Sequence, residues 1–173
     1  MGNLEFIKSA ELTTPASTFK ITDCFNDNYD VFKIVVNTLS VDTSLLYASL
    51  RLVDNTNSTI SSANYDWAYL NLRFWTSFQE ASLTNTTYIG DFNTDARNTS
   101  DSQGSVWYVY NPTNTSSYTF VNNQNVWYNT GTGGQSFKGI GVLKTTDNIT
   151  GIEIFLSGAG NIDEAKISVY GVK

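Results

Sequence analysis

A chain of 173 residues can bury one sizeable core, and 14 % aromatic against only 15 % charged residues rules out disorder, which pairs few aromatics with many charges. Ordinary globular domains carry about 25 % charged residues, so several amphipathic helices, with Glu, Lys and Arg on their wet faces, are excluded as well. A formal net charge of −6 without a basic stripe argues against nucleic acid and anionic membrane as partners, and no apolar run approaches the roughly 20 residues of a spanning helix.

The opening Met1-Gly2-Asn3-Leu4-Glu5-Phe6 has no basic segment before an apolar core, so folding in a cytosol is expected rather than secretion. Thr18-Phe19-Lys20-Ile21 alternates as a short strand does. Cys24 is the only cysteine and has no partner for a disulfide. The chain contains no histidine to activate it, so it reads as a small half-buried residue beside Phe25. Residues 29–36 form the clearest strand, with Phe32, Ile34 and Val36 on one face, and a turn is expected over 37–42. A strand over 45–53 turns Leu46, Ala48, Leu50 and Leu52 inward, and Asp54-Asn55-Thr56-Asn57 is a strong turn signal.

Residues 65–78 are aromatic throughout. Alternation places Trp67, Tyr69, Asn71, Arg73 and Trp75 on one side and Ala68, Leu70, Leu72 and Phe74 on the other. The β-prone residues and flanking Asn, Ser and Thr favour a strand over a helix. Of the tryptophans, Trp67, Trp75 and Trp107 are expected in the core. Further strands are expected over 88–92, 105–110, 117–121, 126–129, 137–143, 151–156 and 165–172. Pro15 and Pro112 fall in loops. Gly131-Thr132-Gly133-Gly134 reads as a flexible turn, not a phosphate loop, because no Lys-Ser/Thr pair follows. Val106-Trp107-Tyr108 recurs as Val126-Trp127-Tyr128, which suggests two similar strands. Ten or so short strands divided by polar turns predict an all-β fold: one antiparallel β-sandwich domain over residues 1–173, jelly-roll-like.

Little in the chain supports chemistry. The absence of histidine removes the commonest general base and metal ligand, and one cysteine cannot build a thiolate zinc site. Paired carboxylates could come from Asp66, Glu80, Asp91, Asp95, Asp101, Glu153 and Asp163-Glu164, but most sit at turns, where Asp caps backbone. Asn26-Asp27-Asn28 with Asp30, and the segment 91–95, have alternating oxygens but lack the glycine and bidentate Glu of a calcium loop, so they read as turns. Five Asn-x-Ser/Thr sequons, at Asn57, Asn85, Asn98, Asn114 and Asn148, are about what so Asn-, Ser- and Thr-rich a composition produces by chance. No catalytic, metal or cofactor residue is therefore expected. What remains is aromatic rings beside amides. A recognition surface would draw on Tyr108, Asn122, Asn123, Asn125, Trp127 and Tyr128, with the rings exposed in a groove to stack on a sugar or on a partner protein.

Both ends of the chain resemble small virion proteins of tailed bacteriophages. Residues 152–162 and 165–173 form a strand, a Gly-containing turn and a last strand closing on Tyr170-Gly171-Val172-Lys173, similar to the "G-T-I-x-L-Y-G-L-K" ending of that group. Residues 25–37 resemble its "YxxYxIxxxN" strand, Leu50-Arg51-Leu52-Val53 its "LRL" strand and 62–68 its "SxYxYA" segment, while Asp54-Asn55-Thr56-Asn57 replaces the usual "DGG" turn. Residues 80–135 match nothing in it. The resemblance implies a β-sandwich component of the virion, made in the host cytoplasm, of capsid decoration or cement type, with the major capsid or tail proteins as partners. A homotrimer is expected, because oligomerisation covers exposed sheet edges. The alternative is a tail or fibre subunit that binds a host surface glycan. A glycan hydrolase ranks last.

Overall fold

Period-two alternation governs the chain: in a computed structural model describing residues 3–42, 47–94, 103–129 and 133–173, all regular structure is strand. The strands are β1 (Leu4–Leu12), β2 (Thr18–Ile21), β3 (Val31–Val41), β4 (Tyr47–Asp54), β5 (Tyr65–Arg73), β6 (Gln79–Thr86), β7 (Ile89–Thr94), β8 (Gln103–Tyr110), β9 (Thr119–Asn129), β10 (Gly133–Leu143), β11 (Ile149–Leu156) and β12 (Ile162–Val172). They form an eight-stranded sheet, β1-β12-β3-β8-β9-β10-β5-β6, and a four-stranded sheet, β2-β11-β4-β7. Neighbouring strands pair antiparallel, as β12 does with both β1 and β3, and β11 with both β2 and β4.

The chain passes repeatedly between the sheets, and this interleaving is that of a jelly roll. β2, β4, β7 and β11 lie in the small sheet; β3, β8, β5 and β6 keep the opposing jelly-roll order in the large one. Two additions widen the large sheet. β1 and β12 extend one edge, and the β9–β10 hairpin is inserted between β8 and β5. The core lies between the sheets: Phe32, Ile34 and Val36 of β3, Leu50 and Leu52 of β4, Trp107 and Val109 of β8, Ile152 and Ile154 of β11, Ile167 and Val169 of β12. Glycines let the sheets approach where β7 crosses β10 and β5. A Cβ on Gly141 would collide with Ile89, and one on Gly90 with the indole of Trp67.

Several expectations need correction. Residues 37–41 continue β3 instead of turning, because polar Asn37 faces solvent while Leu39 and Val41 point into the core. Register shifts against β12 absorb the irregularity. The strands expected over 117–121 and 126–129 are one strand, β9; Asn123 and Asn125 occupy its buried positions instead of breaking it. The strand expected over 65–78 stops at Arg73. Trp75 lies beyond it and is 46 % exposed, not a core residue, whereas Trp67 and Trp107 are buried. Gly133 and Gly134 open β10 rather than forming a turn, and β1 and β6 are strands that polarity concealed. Asp95, Asn98, Asp101, Gly131 and Thr132, and Leu45 and Leu46 at the start of the strand expected over 45–53, lie outside the described residues.

Candidate functional site

The two outer faces of the sandwich differ in chemistry. On the small sheet, Glu153 is enclosed by Arg51 at 3.5 Å, Lys20 at 3.9 Å and the Thr59 hydroxyl, which donates at 3.0 Å. The Arg51 guanidinium also covers the Phe155 ring, 4.0 Å from its centroid. That face is charged and closed.

The outer face of the large sheet is apolar. Register places Leu4, Val172, Val31, Tyr110, Phe120 and Val142 in one row across six neighbouring strands. The next row runs Phe6, Tyr170, Lys33, Tyr108, Asn122, Ile140, Ala68 and Ser82. Further along, Leu72 stands beside Ser136, Val126 beside Gly104 and Tyr128 opposite Gly134. Ile140 is 63 % and Val126 55 % exposed, and Leu4, Phe6, Leu70, Phe120 and Tyr128 are exposed with them. The apolar surface runs on beyond β5, where the Phe74 amide donates to the Gly134 carbonyl at 3.2 Å and the ring lies over that glycine, 77 % exposed. Trp75 and Phe78 are also exposed in the β5–β6 connection.

Two shallow grooves mark this face. One, of about 540 Å³, lies among Phe120, Asn122, Ile140, Ala68, Leu83 and Tyr110; the other, of about 490 Å³, among Val35, Val106, Val126, Gln124 and Ser136. At the rim of the first, Lys144 pairs with Asp66 at 2.8 Å and holds its carboxyl below the usual carboxylate range. Lys33, Lys138 and Glu80 share the face and have no ion-pair partner among the described residues.

The six residues expected to form a recognition surface are split between the two sides of the sheet. Tyr108, Asn122 and Tyr128 lie on the outer face, where the Asn122 amide donates to the Tyr110 hydroxyl at 2.9 Å and the Tyr108 and Tyr110 rings are 6.5 Å apart. Asn123, Asn125 and Trp127 point inward. The expectation of an exposed Trp127 is corrected: it is 3 % exposed and stacked on Phe137 at 5.0 Å, because odd-numbered residues of β9 face the interior. The Asn125 side-chain oxygen Oδ1 accepts the Phe137 amide at 2.7 Å, so this polar side chain replaces a backbone partner. The repeated Val-Trp-Tyr segments share one orientation, with Trp107 and Trp127 buried and the valines and tyrosines turned outward.

Asp66 and Glu153 stand on different sheets, each bound to a cation. Among the described residues no cluster of His, Cys, Asp or Glu could hold a metal ion. In the segment 26–30, Asn26 caps the Asn28 amide at 3.0 Å, the expected turn.

The outward residues Leu4, Phe6, Phe120, Val126 and Ile140 were not read as functional. Their signal is present in strands apolar on both faces, since a sheet with one wet face alternates cleanly. Neither a protein-family model nor a curated protein matches this chain.

Proposed function

We propose that this chain is a structural protein of a tailed-phage virion, of capsid decoration or cement type, that adheres to neighbouring subunits through the outer face of its large sheet. The observation that carries the docking part is the apolar surface on that face, with its two rows of register-aligned side chains. Exposed apolar surface of such extent costs solubility unless a partner covers it. Aromatic and aliphatic anchors with few charges are the composition of an interface centre. The virion setting rests on the sequence resemblance at the two ends of the chain. Its acidic remainder, net −6, would keep particles dispersed.

A fibre subunit that binds a host glycan is the second reading, favoured by Tyr108, Tyr110 and Asn122 standing side by side on the exposed face. Immunogold labelling of intact particles with an antibody against this chain separates the two. Label over the head supports decoration. Label on tail or fibres moves the glycan reading forward, with a glycan array to follow, and unlabelled particles overturn the virion role.

A further inference from the structure

We infer that the outer face of the large sheet is covered by a second copy of this chain, the two large sheets packing face to face about a two-fold axis. The inference rests on the docking role proposed for that face and names its occupant.

Area is the first argument. With the two-fold axis between β9 and β10, six strands of each copy overlap (β3, β8, β9, β10, β5 and β6); at about 4.8 Å spacing they span about 24 Å, and about 27 Å of strand length gives about 650 Å² per copy. Stable interfaces take about 600–1,000 Å² from each partner, a range that includes this overlap. One copy of the face therefore suffices for a stable dimer.

Symmetry is the second. Among the described residues the small sheet presents the Lys20–Glu153–Arg51 cluster, and the extended apolar sheet face is that of the large sheet. A three-fold ring joins two different patches on each subunit, whereas a two-fold joins one patch to itself. A single apolar face closes by meeting its own copy, which departs from the trimer expected from the sequence.

Charge is the third. The chain carries −6, yet the six overlapping strands present the cations Lys33 and Lys138 against Glu80, and the Asp66–Lys144 pair is internally neutral. Two copies thus meet where their mutual repulsion is weakest. With the axis along the strands between β9 and β10, β3 of one copy lies over β6 of the other, which sets Lys33 over Ser82, one row from Glu80. The same operation sets Phe120 of one copy over Val142 of the other. The protruding Ile140 and Val126 then have the facing grooves to enter.

Sedimentation velocity and light scattering on the purified full chain at micromolar concentration test this. The expected particle has twice the 19.2 kDa chain mass. Ile140→Glu and Val126→Glu should each raise the dissociation constant about 100-fold. Both side chains point to solvent in the single chain, so circular dichroism and the cooperativity of melting should be unchanged. Thr18→Glu on the small sheet should leave the dimer intact. A wild-type monomer, a trimer, or a dimer that survives both substitutions overturns the inference. Particle labelling reads separately: a monomer that still labels virions removes the dimer and keeps the role, and a dimer that labels none does the reverse.

Discussion

Tyr65 shows how one side chain replaces two backbone partners. Its hydroxyl accepts the Leu52 amide at 3.1 Å and donates to the Ile60 carbonyl at 3.0 Å, in a fully buried site. Tyr65→Phe keeps the ring but leaves both backbone groups unpaired, and should cost about 1–3 kcal/mol in urea denaturation. An unchanged midpoint would mean the groups find other partners. Cys24 is fully buried, beyond the half-burial its sequence setting suggested, and burial pushes its thiol up from 9.0 to about 12. Because the folded value lies above the unfolded one, the neutral thiol stabilises the fold fully below pH 9.0, and that contribution disappears as pH rises toward 12. Wild type should therefore lose more stability than Cys24→Ala between about pH 8 and pH 10.5, measured as the shift in urea midpoint. Equal losses would refute the link to this thiol.

At the scale of the element, the exposed edge strand β6 is managed by a bulge. Tyr65 pairs with Thr86 and Trp67 with Leu83, so β6 carries one extra residue, and Asn85 adopts a positive φ of 55° there. The Asp66 carboxylate accepts the Asn85 amide at 2.8 Å, and Lys144 bridges to Asp66 and to the Asn85 side chain at 2.7 Å. Asp66→Ala should speed amide hydrogen exchange at Asn85 about tenfold while leaving β12 protected. Since Lys144 lowers the Asp66 pKa from 3.8, the carboxylate supports the bulge above that value and stops doing so as pH falls through the folded one. The protection factor at Asn85, taken against the intrinsic exchange rate at each pH, should fall in acid on the same grounds. The strands of strong alternation, such as 29–36, were legible in the sequence. β6 was not, because its residues are mostly exposed and polar and its pairing depends on β5 alone.

Across the whole molecule, the first and last strands meet. β12 lies between β1 and β3, so the chain ends are tied into one sheet by pairings distant in sequence. Removing residues 162–173 would take Ile162, Ala165, Ile167 and Val169 from the core and break both ladders. The truncated chain should show no cooperative thermal transition by circular dichroism. A sharp transition would mean that the remaining strands form a core of their own.

The all-β class and the inward residues of β3, β4 and β5 followed from the sequence, because local alternation and composition determine which residues must leave water. Which sheet each strand joins, the insertion of the β9–β10 hairpin, and the burial of Trp127 beside an exposed Tyr128 depended on tertiary structure. The candidate site belongs to this second group. Tyr108, Asn122 and Tyr128 could be named from the sequence, but Leu4, Phe6, Phe120 and Ile140 share a surface with them only through pairings between strands far apart in the chain. Period-two alternation tells which residues share a face of a strand; long-range register decides which faces join and whether a second layer covers them.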